Sequence, residues 1–353
     1  MSLSSRLTLV LMIPTMGRRC IGGWASGRGR WWSPLALVTL CGCPSLESLP
    51  TQAPIVESVE ARSQTPYLLY VPSRYTQTRH WPLLVLCHGT WPYDTPQLQM
   101  REWAMFAENQ GIIVAAPTLI GVKGDLPPEP GKQIELQQQD EQLILAMVAE
   151  VKGRYRVAEE QVFMTGWSAG SYAILHTGLR NPDVFRAIAI RQGSFDKRYM
   201  DIPTDRLDRW QPVKVIYGST DFLRDQTKEC IKWLRDEKMF VEEEELPGQH
   251  RRIEPKFVWR FFASVTKERP WIRIKARPVD GANPLAVQFE LNAVPAATKQ
   301  KWFFGDNEES RDESPVHVFK QPGRYEIVVN VAIKGGKKFT RKRVIQLEGP
   351  IGP

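Results

Sequence analysis

The segment Gly166-Trp167-Ser168-Ala169-Gly170 constrains this chain more than any other. The apolar, partly β-branched run Val162-Phe163-Met164-Thr165 leads into it and helix-like sequence follows, so the stretch reads as strand, sharp turn and helix with a serine at the apex. Glycines two before and two after the serine let the chain turn tightly and the helix pack close. The hydroxyl of Ser168 then stands above the end of a parallel sheet, facing a helix amino end. A glycine-rich turn in an ordinary strand–helix unit would give the same five residues. The choice rests on whether the chain also supplies a base, an acid and oxyanion donors.

A serine hydroxyl attacks well only when a histidine takes its proton and a carboxylate holds that imidazole in one tautomer. The chain has five histidines. His80 precedes Trp81-Pro82 in a turn, His317 lies in a later region, and His176 is eight positions past Ser168, more than two turns along its helix; these read as structural. His88 ends the apolar strand 83–87 and, with Gly89-Thr90 after it, shapes a loop. His250 remains, in Leu246-Pro247-Gly248-Gln249-His250, between the alternating strand 240–246 and the helical pattern Phe257, Phe261, Phe262. For the acid, the buried strand 213–217 runs into Gly218-Ser219-Thr220-Asp221, which places Asp221 at a strand end one loop before His250. Asp225 and Asp196 are the alternatives. Oxyanion donors are expected from the amide of Ala169, directly after the serine, and from Thr90 or Trp91 in Cys87-His88-Gly89-Thr90-Trp91, with Thr90 preferred.

With these parts in chain order, residues 60–265 resemble the secreted α/β-hydrolase esterases of the polyhydroxybutyrate depolymerase and feruloyl esterase type. The resemblance rests on residues 67–72, the strand ending in His88-Gly89, residues 111–117, Arg154-Tyr155 and Val157, the GWSAG segment, Gly218-Ser219-Thr220-Asp221 and the late histidine. It implies ester cleavage through an acyl-serine, without metal or cofactor. Thr90-Trp91-Pro92 and Ser171 replace the small residues common in that family. The Pro-rich loop 125–131, with Trp91, Tyr93 and Trp167, is expected to border the pocket.

The net charge of +8 could suggest nucleic acid, but its distribution argues otherwise. Residues 1–54 carry +4 and residues 271–353 carry +5, whereas residues 55–270 carry −1. The catalytic region is therefore neutral, and no nucleic-acid partner is expected. A basic leader with Arg18, Arg19, Arg28 and Arg30 precedes Leu35-Ala36-Leu37-Val38-Thr39-Leu40, too short to span a bilayer. Leu40-Cys41-Gly42-Cys43 resembles a lipobox, making residues 1–43 an export signal, Cys43 the lipid anchor and residues 44–58 a tether; Met1 or Met16 is the start. A plain signal peptide would also export the protein, to the periplasmic or extracellular side. Cys87 and Cys230 read as reduced core residues, and without a CxxC, His-rich tract or HExxH no metal site is expected.

After residue 270 the pattern changes to short alternating strands, among them 286–291, 325–333 and 339–347, the last two joined at Gly335-Gly336. Trp302-Phe303-Phe304-Gly305-Asp306 and Gln321-Pro322-Gly323-Arg324-Tyr325 resemble the signatures of the PKD domain, a small immunoglobulin-like β-sandwich, over residues 272–348. Tyr325 is expected to pack its core, and the cluster Lys334, Lys337, Lys338, Arg341, Lys342 and Arg343 to form a solvated edge, with a polyanion-binding patch as the alternative.

The expected architecture is an α/β-hydrolase at residues 59–268 followed by an immunoglobulin-like β-sandwich at residues 271–348. The expected function is a serine esterase acting on a small, polysaccharide or polymeric ester, with the sandwich open to glycan or cell-surface contact and the membrane met only through the lipid anchor. A serine peptidase of the prolyl-oligopeptidase type is one alternative, although such enzymes usually carry a propeller ahead of the hydrolase domain. A non-catalytic glycan- or partner-binding protein is the other.

Overall fold

The computed structural model describes residues 53–124, 129–204, 207–279 and 283–348. The leader, Cys43, residues 44–52 of the tether and residues 125–128 of the Pro-rich loop lie outside the described residues. No described helix is long and apolar enough to cross a membrane.

Eight strands form the first sheet: β1 (Val56–Val59), β2 (Pro66–Tyr70), β3 (Trp81–Cys87), β4 (Ile113–Pro117), β5 (Val157–Trp167), β6 (Ala187–Arg191), β7 (Pro212–Gly218) and β8 (Phe240–Leu246). Their order is β1-β2-β4-β3-β5-β6-β7-β8. The pairings β1 with β2 and β2 with β4 are antiparallel, and all the others are parallel. This corrects the tether expected over 44–58 and the domain start at 59: Val56 already pairs with Leu69, as the first residue of β1. Three of the four β1 side chains are exposed, so the strand carried no apolar signal to read.

Strand alternation sends β3 side chains to two cores. Leu83, Val85 and Cys87 pack with Ile144, Met147 and Val151 of α2 (Pro130–Arg154) and with Cys230, Ile231 and Leu234 of α4 (Arg224–Asp236). Leu84 and Leu86 pack with Met100 and Trp103 of α1 (Pro96–Gln110) and with Phe261 and Phe262 of α5 (Pro255–Glu268). Phe163 stacks on Phe262 at 4.5 Å. Burying one such ring contributes about 1.5–3 kcal/mol. Cys87 and Cys230 are buried and free, and desolvation raises both thiols above their ordinary range. The helix after the serine begins as α3 (Gly170–Ala173) and widens into a π turn at Ile174–Gly178. His176 is buried in that turn, 3.2 Å from Glu141, in keeping with a structural role.

The carboxy-terminal sandwich has one sheet of β13-β10-β9 and one of β12-β11-β14-β15. These strands are β9 (Trp271–Pro278), β10 (Ala286–Val294), β11 (Ala297–Phe303), β12 (Glu309–Ser310), β13 (Val316–Val318), β14 (Gly323–Ile333) and β15 (Lys338–Leu347). Phe289, Trp302, Phe304, Phe319 and Val329 fill its core, and Tyr325 packs against Phe319 at 4.2 Å. Asp306 accepts from the Glu308 amide and lies 2.7 Å from His317, so the Gly-Asp motif closes a turn.

The β14–β15 cation cluster is not one solvated edge. Arg341 is buried and, with Arg273, holds Asp208 of the hydrolase part, while Arg343 reaches Asp183 at 2.8 Å. Burial alone would raise the Asp208 carboxyl, but the two guanidiniums outweigh it and hold it below the ordinary range. β15 thus docks the sandwich onto the hydrolase by charge pairing that local sequence does not reveal. Removing one partner of a buried pair leaves charge unpaired. Arg341→Met is therefore expected to lower unfolding free energy by about 1–3 kcal/mol, read by urea denaturation, because Arg273 still faces Asp208. The neighbouring control is Lys342→Met at the exposed Glu326 pair, where a loss under about 1 kcal/mol is expected. Equal losses in the two variants would contradict the docking role.

Candidate active site

At the carboxyl end of β5, Ser168 has φ 54°, a left-handed conformation that a serine adopts at a cost of about 1–3 kcal/mol. Close packing holds it there. A Cβ on Gly170 would lie 2.6 Å from Cys87 O and 2.7 Å from His88 O, and one on Gly166 would lie 2.9 Å from Gly170 O. Only glycine lets the end of β3 cross the start of α3. The Ser168 amide donates to Arg191 O at 3.0 Å, and its carbonyl accepts from Ser171 Oγ at 2.8 Å.

His250 reaches this serine from the loop between β8 and α5: Nε2 lies 3.1 Å from Ser168 Oγ, and Nδ1 lies 3.0 and 3.1 Å from the two oxygens of Asp221. Asp221 Oδ1 also accepts from the Leu223 amide at 2.8 Å, which fixes the carboxylate. A carboxylate only accepts, so the ring proton sits on Nδ1 and the Nε2 lone pair faces the serine hydroxyl. Trp167 at 4.7 Å and Phe222 at 4.6 Å flank the imidazole. The structure brings Ser168, Asp221 and His250 together. It leaves Asp225 exposed in the first turn of α4 and Asp196 paired with Arg198 at 2.6 Å.

Thr90 and Ala169 both line the cleft beside Ser168 and His250. Among the described residues neither amide donates a hydrogen bond, whereas the Trp91 amide is taken by Val122 O at 3.0 Å. Of Thr90 and Trp91, Thr90 is thus the one with an amide to give. His88 accepts the Leu119 amide at Nε2, 3.0 Å away, and its Nδ1 donates to Gly89 O at 2.8 Å, which requires the neutral ring. Burial depresses its pKa and keeps it so. Asp140 receives the amides of Ile120 and Gly121 at 2.8 and 2.9 Å, bracing the loop whose Val122 carbonyl holds Trp91.

Sequence reasoning missed a buried polar layer beneath these loops. Asp94 accepts the Gly89 amide at 2.7 Å and Gln99 Nε2 at 2.6 Å, and is paired with Arg252, two residues past His250. Arg191 joins it through Gln99 and through Glu102 at 2.7 Å. Gln192 clamps the histidine loop from both sides, donating to Gln249 O at 2.8 Å and accepting the Arg251 amide at 2.7 Å. Their only sequence signal is polarity, which exposed residues share.

The cleft measures about 620 Å³. Tyr93, Trp167 and Phe222 line it, with Tyr93 71% and Phe222 77% exposed; Trp91, expected at the mouth, is exposed but is not one of its walls. Its charged lining residues are Lys123, Asp196 and Arg198.

Residues 102–241 match the model of the prolyl oligopeptidase family, a span holding Ser168 and Asp221 but not His250, and residues 268–346 match the PKD domain. No curated protein matches the chain. Among solved structures, it is similar to an S-formylglutathione hydrolase from Staphylococcus aureus at 15% identity and TM-score 0.45, over 60% of this chain and 94% of that one. A ferulic acid esterase from Anaeromyces mucronatus gives 15% identity and TM-score 0.49, over 60% and 91%. A dipeptidyl peptidase 4 from Porphyromonas gingivalis gives 16% and 0.46 over 61% of this chain but 35% of that one, so this chain spans about a third of that peptidase. The chain has an α/β-hydrolase fold followed by a β-sandwich whose residues match the PKD domain.

Burial raises the Asp140 pKa from 3.8 to about 6, with the two amides offsetting part of the shift. A raised folded value means that its contribution to stability is complete below pH 3.8 and is lost as pH rises through about 6. Asp140→Asn has no such proton to release. Its urea midpoint is expected to lack that component of the decline across this window, and pH profiles parallel to the wild type would refute the assignment.

Proposed function

We propose that this chain is a serine carboxylic-ester hydrolase in which Ser168 is the nucleophile, His250 the general base and Asp221 its orienting acid. The observation that carries the reading is the continuous chain of contacts from Asp221 through His250 to Ser168 Oγ, at 3.0 and 3.1 Å. In the first half-reaction His250 Nε2 takes the hydroxyl proton as Ser168 Oγ attacks the ester carbonyl. The Thr90 and Ala169 amides receive the oxyanion, and the protonated imidazole gives its proton to the departing alcohol. Water, deprotonated by the same nitrogen, then attacks the acyl-serine, and the acid leaves with Ser168 restored. No cofactor takes part in this scheme.

Cleft charge favours an ester over a peptide with a free amino end. Asp196 is neutralised by Arg198, and Lys123 has no ion pair among the described residues, so the wall carries surplus positive charge. An ammonium group would be repelled there. Tyr93, Trp167 and Phe222 offer flat apolar faces that suit an aromatic acyl group or a sugar. Peptidase activity is the second reading, favoured by the prolyl oligopeptidase match over residues 102–241. Export through the leader, with Cys43 as a lipid anchor, belongs to the same proposal and rests on Leu40-Cys41-Gly42-Cys43.

Nitrophenyl esters and peptide anilides assayed in parallel separate the two activities, with ester turnover expected to dominate. Ser168→Ala is expected to lose about 10⁴-fold or more in turnover and all labelling by a fluorophosphonate, with unchanged unfolding. Near wild-type turnover would refute the nucleophile. Asp221→Asn disfavours the required tautomer and is expected to cost about 10³- to 10⁴-fold. Asp225→Asn is expected to stay close to wild type, and the reverse order of severity would move the acid to Asp225.

A further inference from the structure

A second cleft, of about 600 Å³, opens at the junction of the hydrolase and the sandwich, walled by α5, the start of β8 and the β14–β15 turn. Six cationic side chains line it against one carboxylate, that of Glu268. Among the described residues, Arg273 alone of the six is paired with a carboxylate, Asp208 at 3.0 Å. Arg186 is buried and bonded only to main-chain carbonyls, those of Glu160, Val265, Thr266 and Arg269, and burial pulls its pKa down to about 10. Arg209 likewise donates to the carbonyls of Glu237 and Thr204. Arg269 lies 3.8 Å over the Phe240 ring, and its Nη1 has no hydrogen-bond partner among the described residues. Lys238 and Lys337 are exposed, with no ion pair among the described residues.

Cations gathered in a cleft without counter-charges favour an anionic guest, and the buried arginines among them have also lost part of their hydration. Aromatic faces stand beside them: Trp210 is 38% and Phe240 44% exposed. We propose that this junction cleft binds a short acidic sugar segment of the uronate type, its carboxylates on Lys238, Lys337 and Arg269 and a ring face on Trp210. The volume lies within the roughly 300–1,000 Å³ of small-ligand sites. Along β15 the positive charge is paired, since Arg341 is held by Asp208, Arg343 by Asp183 and Lys342 by Glu326, so the cations of the β14–β15 turn without an ion pair among the described residues are Lys334, Lys337 and Lys338. The site is remote from Ser168 in its lining residues and does not rest on the esterase reading.

The test titrates the full chain with tetragalacturonate by calorimetry, alongside its methyl-esterified form and a short oligothymidylate. The double variant Lys238→Gln/Lys337→Gln removes two exposed charges and leaves the buried arginines in place. Saturable binding of tetragalacturonate is expected, about tenfold weaker in the double variant and for the methyl ester, with turnover of a small nitrophenyl ester unchanged. No binding, binding indifferent to the two lysines or to methylation, or tighter binding of the oligothymidylate would each overturn the proposal. Turnover is a separate readout, so failure of the esterase reading leaves this result interpretable.

Discussion

The active-site geometry depends on one steric constraint, the crossing of the β3 end by the first turn of α3. The two backbones approach so closely that a single added carbon on Gly170 would sit 2.6 Å from a β3 carbonyl. Because they touch, the chain between them must reverse within a few residues, and Ser168 takes a left-handed backbone at the apex. Its conformational cost is offset by the packing of the whole sheet, since both flanking elements belong to the main core. The same crossing sets Ala169 beside the serine and the His88–Thr90 loop opposite it. Strain, the placement of the Ser168 hydroxyl and the pair of free amides are consequences of one contact.

A buried polar layer turns that local geometry into a coordinated site. Asp94 holds the Gly89 amide on one loop and Arg252 on another, while Gln192 grips the residues on either side of His250. Each loop is thereby tied to a neighbour rather than only to its own strand. In a low-dielectric interior these bonds are strong when complete and costly when broken, so they favour a single arrangement of the three loops. On the opposite side, neutral His88 and buried Asp140 anchor residues 119–121 and set the height of the Thr90 loop.

The junction with the sandwich follows the same physics with a different outcome. Asp208 between Arg273 and Arg341 is a compensated cluster, and it docks β15 onto the hydrolase. A short distance away, Arg186 and Arg209 meet carbonyls and Arg269 an aromatic face, none of them a carboxylate among the described residues. Positive charge therefore accumulates on one side of the junction. Docking and a surplus that can receive an anion come from the same arginine-rich sequence, divided by which carboxylates lie within reach.

Sequence alone determined the strand–serine–helix turn, the chain order of Ser168, Asp221 and His250, the near-neutral charge of residues 55–270 and the change to an antiparallel sandwich after residue 270. These are legible because they rest on local rules: glycine at tight turns, apolar alternation along strands and short spacings. The difference between Asp221 and Asp225 was nearly local too, since one residue follows a strand end and the other sits on a helix face. Tertiary structure alone decided that β1 begins at Val56, that Thr90 rather than Trp91 has a free amide, that Arg341 is buried, and that Asp94, Gln192 and Arg252 join the loops around Ser168 and His250. Each depends on partners far along the chain, as Asp94 and Arg252 are 158 residues apart. A charged or amide side chain has the same identity in solvent and in a buried network, and only its neighbours in space distinguish the two.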